Sequence, residues 1–342
     1  ISVRINVEES LKEENTEKIQ SKTAKVDVKG AQQNKTEKYT LNGTENEGAV
    51  AFNLDFTEHK GKAETTVTAV TDATAVTFDR TLPTATAVTI VSDNATNTVA
   101  KTGDEITVSF TVDDTLAATP TATIQTKAAT VAVDGAHPNY TAKYTLIGTD
   151  TEGAVAFTLD FSDEAGNAAT TVTAVTDATA VTFDRTLPTA TTVSIVSDNA
   201  NTAAATTGDE VTVSFTVDDD LLGAPTATID GQTATIAGTH PNFTAKYTTV
   251  GTTTEAAVAF TINFTDESGN AATTVTAVTD ATSVTFDKTA PSASTVTIAS
   301  NNADTSVAAL GDEITVSFTV DDDMLATPTA TIQTKAATVA VD

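Results

Sequence analysis

The stretch G-D-E-I-T-V-S-F-T-V-D-D at 103–114 alternates without a break. Ile106, Val108, Phe110 and Val112 fall on one side of an extended chain, and Thr107, Ser109 and Thr111 on the other. Period-two alternation rich in β-branched residues predicts a half-buried strand with its apolar face on a core. The same stretch returns at 208–219, with Val211 for isoleucine, and again at 311–322. Other landmarks keep step. T-F-D-R-T-L-P at 77–83 recurs at 182–188 and, as T-F-D-K-T-A-P, at 285–291. A-V-A-F-T-L-D-F-S-D-E-A-G-N at 154–167 recurs, with small changes, at 257–270. A repeat of roughly 100 residues is the size of an independent domain and too long for a solenoid unit.

Within one period, 79–183, the strand at 105–112 and the alternating stretch 154–161 are joined by shorter strand-like runs. These lie at 86–91, 121–125, 128–133, 140–147 and 169–175. Turn-forming stretches separate them at 92–97, 135–139 and 163–167. No segment shows the spacing of an amphipathic helix. About seven short strands in such a length predict an all-β fold, a two-sheet antiparallel sandwich with Greek-key connections. A small barrel is the alternative. The segment 168–183 is long for one strand, and Thr176-Asp177-Ala178-Thr179 inside it predicts a bulge or a tight turn.

The periods divide the chain into four parts. Residues 1–78 form a divergent module lacking its first strand, 79–183 and 184–286 are whole modules, and 287–342 is the first part of a further one. Two readings of the incomplete parts stand: a segment of a longer array, or subunits that complete one another by strand donation. Both parts contain the second to fourth strands, so one cannot simply supply what the other lacks. The linkers are short, and Pro83, Pro188 and Pro291 restrict them, which predicts a semi-rigid rod.

There is no cysteine, so neither a disulfide framework nor a cysteine metal site is available. The 46 acidic residues against 18 basic ones leave a net charge of −28. That disfavours nucleic acid as a partner, because phosphate recognition needs a basic face. It suits divalent cations, high salt or solubility. No signal peptide and no membrane-spanning apolar run is present in these residues.

The D-x-T-x-P junctions (Asp79 to Pro83, Asp184 to Pro188, Asp287 to Pro291) and the D-x-x-G-N turns (Asp163 to Asn167, Asp266 to Asn270) resemble those of tandem bacterial immunoglobulin-like repeats. Such repeats occur in surface adhesins, surface layers and other giant exported proteins. The resemblance implies tandem immunoglobulin-like antiparallel β-sandwiches stacked as a stalk or wall, on the cell surface or outside the cell. In some members of the family calcium stiffens the junctions.

In a sandwich of this topology the start of the first strand, the second-to-third loop and the last hairpin loop share one pole. In 79–183 those places hold Asp79, Asp113-Asp114 and Asp163; in 184–286 they hold Asp184, Asp218-Asp219 and Asp266. Crowded carboxylates repel one another unless a cation intervenes, and calcium takes roughly six to eight oxygens in flexible geometry. Against calcium stands the plain alternative of polar turn residues, since no D-x-D-x-D-G loop is present. The first module departs from the pattern: Glu8-Glu9 stands at the aspartate pair, and Glu58-His59-Lys60-Gly61-Lys62 replaces the D-x-x-G-N turn.

His137 and His240 sit in matched H-P-N turns, which predicts a turn role. Lys38, Lys143 and Lys246 recur in a K-Y-T context and read as surface lysines beside an inward tyrosine; an isopeptide cross-link is the alternative. Matches to the N-glycosylation pattern occur at Asn34, Asn42, Asn94, Asn139, Asn242 and Asn263, as they do by chance in a Thr-rich chain. No catalytic triad, nucleophile elbow or P-loop stands out, so no enzyme is expected. The expected role is structural, in a stalk, surface layer or filament, with copies of itself or neighbouring modules as partners. The alternative is an adhesin that recognises a cell-surface glycan or protein through its loops. With no Trp and four Tyr, the chain has few of the aromatics such a site uses.

Overall fold

The computed structural model describes residues 2–6, 17–19, 22–26, 34–55, 66–135, 137–324 and 326–340. Glu8, Glu9 and the segment 58–62 lie outside the described residues. The described residues are all-β, in several antiparallel sheets. None forms a helix long and apolar enough to cross a membrane. The chain divides into two compact units, residues 1–187 with 265–270 and residues 188–264 with 271–342.

In the first unit the strand Glu105–Val112 is central to a four-stranded sheet. It pairs with Asn139–Thr145 on one side and Ala85–Ser92 on the other, and Thr130–Val133 adds to the far side of Asn139–Thr145. Its predicted alternation holds: Ile106 and Val108 are fully buried, and Phe110 and Val112 nearly so. Facing it is a three-stranded sheet of Lys127–Ala128, Thr121–Ile124 and Phe157–Asp160. Ile124 and Leu159 complete the core with Val88, Phe183 and Leu146. Phe110 stacks on Tyr140 and Phe161, with ring centroids 5.5 and 6.5 Å apart. Each such side chain, taken from water, contributes about 1.5–3 kcal/mol.

The run 128–133 proves to be two strands rather than one. Lys127–Ala128 belongs to the three-stranded sheet, Thr130–Val133 to the four-stranded one, and the chain changes sheets at Ala129. The stretch 154–161 is interrupted as well. Gly153–Ala154 pairs with Thr182–Phe183, which pairs in parallel with Val99–Ala100, whereas Phe157–Asp160 joins the other sheet. The run 169–175 forms no continuous strand; Ala169 and Val172 bond back to Phe161 and Leu159 through the backbone, and the Thr171 hydroxyl donates to Asp160 Oδ1 at 2.6 Å. The turn expected at 176–179 is tight: Asp177 Oδ1 accepts from the Thr179 N–H at 3.0 Å and its hydroxyl at 2.8 Å, with Ala178 at φ 64°. That turn lies along Ala85–Ser92. The Thr176 N–H donates to Val88 O at 2.8 Å, and the Ile90 N–H donates to Thr179 Oγ1 at 2.9 Å. Ala87, at φ 50°, marks a register shift in the same strand.

The second unit contains sheets of the same order. Ala190–Ser197, Glu210–Val217, Asn242–Thr248 and Thr235–Thr239 form one. Gln232–Thr233, Thr226–Ile229 and Phe260–Asn263 form another, and Ala204–Ala205, Thr285–Phe286 and Ala256–Ala257 the small third. Its core holds Val193, Ile195, Val213, Ile229, Ile262 and Phe286. The H-P-N turns close the matched hairpins, with cis His137–Pro138 and His240–Pro241 peptides. The second hairpin is shorter and needs a glycine: Gly238 has φ 105°, and a Cβ there would lie 2.4 Å from Asn242 O.

Residues 287–340 supply a two-stranded sheet of Ala293–Ser300 and Ile314–Val320, with a hairpin of Ala330–Ile332 and Lys335–Ala337.

Candidate metal centre and junction clamps

The D-x-T-x-P junction folds locally because aspartate caps its own turn. Asp79 Oδ1 accepts from the Thr81 N–H at 2.9 Å, an Asx turn. Two carboxylates outside the motif then hold it. Glu47 Oε1 accepts from the Arg80 N–H and the Thr81 hydroxyl, both at 3.0 Å. Asp113 accepts from the Thr84 N–H at 2.7 Å and the Thr84 hydroxyl at 2.6 Å. Pro83, between them, is buried. The Thr84 hydroxyl, then its N–H, hold the Asp113 carboxyl below the usual carboxylate range.

The pattern repeats. Glu152 Oε1 accepts from the Arg185 N–H at 3.0 Å and the Thr186 hydroxyl at 2.9 Å, and Arg185 Nη1 also donates to Gly148 O. The Arg185 N–H and then the Thr186 hydroxyl lower the Glu152 pKa. Glu255 does the same for Lys288 and Thr289, at 3.1 and 2.7 Å. In the second unit Asp218 takes the Thr189 N–H at 2.7 Å and hydroxyl at 2.6 Å. Of the aspartates singled out in the sequence, Asp113 and Asp218 are therefore engaged with threonines. Glu47, Glu152 and Glu255 escaped the sequence analysis, although each stands at the same place in a recurring G-T-x-x-E-[G/A]-A-V-A-F stretch, at 43–52, 148–157 and 251–260.

Asp79, Asp114 and Asp163 come together. One carboxylate oxygen from each lies within 4.8 Å of the others. Asp163 is buried, and Asp79 and Asp114 are half-buried. The D-x-x-G-N turn positions Asp163. The Asn167 N–H donates to its Oδ1, and Asn167 Nδ2 to its Oδ2, both at 2.8 Å. Asn167 Nδ2 also lies 3.3 Å from Asp79 O, which ties the turn to the junction. Burial pushes the Asp163 pKa up, but the hydrogen bonds from Asn167, Gly166 and Ala165 outweigh it and hold the group below its ordinary value. Asp114 is set by its neighbour's Thr115 N–H, 2.6 Å from Oδ1.

These are hard oxygen donors, the kind that suits calcium or magnesium rather than a thiolate-seeking metal. Three carboxylates supply about half the oxygens calcium takes, leaving the rest to water or backbone. Asp184 and Asp266 show part of the same arrangement: Asn270 Nδ2 donates to Asp266 Oδ2 at 2.9 Å and to Asp184 O at 3.2 Å. The Asp184 N–H donates to Ala100 O at 2.9 Å. Asp219, the counterpart of Asp114, is half-buried.

The lysines lie on the surface. Lys143 Nζ and Lys246 Nζ each sit 2.6 Å from a glutamate on the adjacent strand, Glu105 and Glu210. Tyr144 beside Lys143 is half-buried, with its hydroxyl 3.2 Å from Asp150 Oδ1. Asn94 spends its side-chain amide on Asp104, at 2.7 Å.

No protein-family model matches the chain, and no curated protein matches it. Among solved structures, SGBP-B of the Bacteroides ovatus mixed-linkage glucan utilization locus, in complex with a mixed-linkage heptasaccharide, is similar over 87% of this chain and 66% of its own. The identity is 15% and the TM-score 0.19. No functional conclusion follows from a likeness at that score.

Proposed function

We propose that the chain is a structural run of stacked immunoglobulin-like modules, 1–78, 79–183, 184–286 and the start of another at 287–342. It serves outside the cell or on its surface, as part of a stalk, surface layer or filament, and has no enzymatic role. Its partners are neighbouring modules and further copies of itself. The observation that carries this reading is the linker 79–84, held at one end by Glu47 and at the other by Asp113, with a buried proline between. A junction so pinned has little freedom to swivel, as a load-bearing element requires.

Calcium is the cofactor of this reading. Asp79, Asp114 and Asp163 would hold it, and it would offset the repulsion among three carboxylates, drawing the junction onto two loops of the module that follows. The test is thermal melting of the full chain in calcium and in excess chelator at matched ionic strength. A saturable rise of several degrees with calcium supports the ion-stiffened junction, because a ligand bound only to the folded state stabilises it. A shift no larger than that of matched sodium chloride removes the ion and leaves the clamps alone. Monomers that capture glycans on an array, with no ordered self-association, would favour the adhesin reading instead.

A further inference from the structure

Thr130–Val133 is the outer strand of its sheet. Among the described residues it pairs on one side only, with Asn139–Thr145. In an antiparallel ladder the backbone groups of successive residues turn alternately toward and away from the neighbouring strand. The Asp134 N–H donates to Asn139 O at 2.8 Å, which sets the phase: Asp134, Ala132 and Thr130 bond inward, to Asn139, Thr141 and Lys143. The next ladder agrees. The Val112 N–H donates to Pro138 O, so the even-numbered residues of Asn139–Thr145 serve Glu105–Val112 and the odd-numbered ones serve Thr130–Val133. The N–H and C=O groups of Val131 and Val133 therefore face the open edge. Natural edges are guarded by lysine, proline or a bulge. Thr130-Val131-Ala132-Val133 carries neither charge nor proline. Val131 packs partly on the core, and Val133 is 52% exposed. The matching strand of the second unit, Thr235–Thr239, differs. Gly238 pairs with Phe243 as Val133 does with Tyr140, and its φ of 105° takes it out of the extended range.

We propose that Thr130–Val133 pairs with the same strand of a second copy of this chain, antiparallel about a twofold axis at Ala132. Val131 of each copy then exchanges both backbone hydrogen bonds with Val133 of the other, so the outward groups of both strands are satisfied. Val133 covers the partly buried Val131 across the axis. On the opposite face Asp134 of one copy stands opposite Thr130 of the other. Thr130 and Lys143 are register partners, so that exposed carboxylate arrives one strand away from an exposed ammonium. The edge is thus complementary to itself in hydrogen bonds, in apolar side chains and in charge. A shift of one residue would set outward groups against inward ones, which fixes the register. The inference names the surface by which copies meet side by side, and it rests on the structural reading above only for its partner.

The test is sedimentation equilibrium of the full chain, with amide exchange followed at rising concentration. The expected result is a dimer in which the Val131 and Val133 amides exchange more slowly as concentration rises. The Ala132 amide, bonded within its own module, should not change. Val133→Pro removes an outward donor and keeps the inward bonds, a change an edge strand tolerates. Lost from both copies at once, that donor should cost the dimer about tenfold or more in affinity. Ile236→Pro, on the counterpart edge of the second unit, should leave association unchanged. The alternating exchange of the parent chain reads the pairing even if Val133→Pro unfolds. Association that survives Val133→Pro without alternating exchange would overturn the pairing and leave the structural reading standing, since copies would then meet elsewhere. Monomers at about 1 mM would overturn the pairing too. Exchange at Arg185 in the same samples then judges the pinned junction separately.

Discussion

The side-chain oxygen Oε1 of Glu152 receives two hydrogen bonds from the junction 33 and 34 residues later, one from the Arg185 N–H and one from the Thr186 hydroxyl. One acidic side chain thus fixes both the backbone and the side chain of a linker. Glu152→Ala should lower the melting temperature modestly and raise amide exchange at Arg185 well above that of core strands. Unchanged exchange at Arg185 would mean that Glu152 does not hold the junction.

Adjacent aspartates separate two effects. Asp114→Asn keeps the oxygen that accepts from Thr115 but removes a negative charge from the triad. It should raise melting in chelator slightly, by relieving the repulsion within the triad, and reduce the calcium increment. Asp113→Ala removes both acceptors used by Thr84. It should lower melting in chelator and leave the calcium increment intact. Calorimetric melts of the two variants, with and without calcium, check both. The reverse pattern would mean that Asp113, not Asp114, faces the ion.

Matched isoleucines should respond unequally. Ile195 is 3% exposed and Ile298 68%. Ile195→Ala should cost about 2–5 kcal/mol, as for a large-to-small change in a core. Ile298→Ala should fall within about 0.5 kcal/mol. Chemical denaturation of the two variants measures the difference.

The tight hairpin offers a backbone test. Gly238→Ala meets Asn242 O at 2.4 Å and a positive φ, whereas Gly135→Ala has nothing within 4 Å. The first should cost about 1–3 kcal/mol. The second should cost about 1–2 kcal/mol, from its left-handed conformation alone. Equal losses would show that the short loop relaxes around the new methyl group.

Acid should unfold the protein through its clamps. Asp113, Glu152, Asp218 and Glu255 all have lowered pKa values in the fold. Hydrogen bonds from threonine hydroxyls and backbone N–H groups outweigh the burial that opposes them. Each binds its proton more readily when unfolded, so its contribution is fully present above the unfolded carboxylate pKa of about 4. It is lost as pH falls through the lower folded value. Melting temperature should therefore be flat from neutral pH down to about 5 and fall steeply below about 4. A decline beginning well above pH 5 would show that these carboxylates do not govern acid unfolding.

The strand 105–112 was legible because burial alternates with its sequence residue by residue, and the three triad aspartates because they punctuate alternating runs. The division of labour between Asp113 and Asp114 was not. Neighbouring residues at a strand end point to opposite sides, and composition is silent on which side carries the junction. Glu152 was equally hidden, since its partners lie in another turn. The change of sheet at Ala129 escaped too: a strand that crosses between sheets keeps its alternation and only changes neighbours.

Segments 85–92 and 190–197 are near copies tethered in one chain, as are their partner strands. Tethering holds such copies at effective concentrations in the millimolar range, where exchange of strands between them during folding competes with correct pairing. The turn at 176–179 answers that hazard. By donating from Thr176 and accepting at Thr179, it occupies the open side of Ala85–Ser92 with a later segment of the same unit. A sequence can thus repeat itself closely and still keep each copy's strands at home.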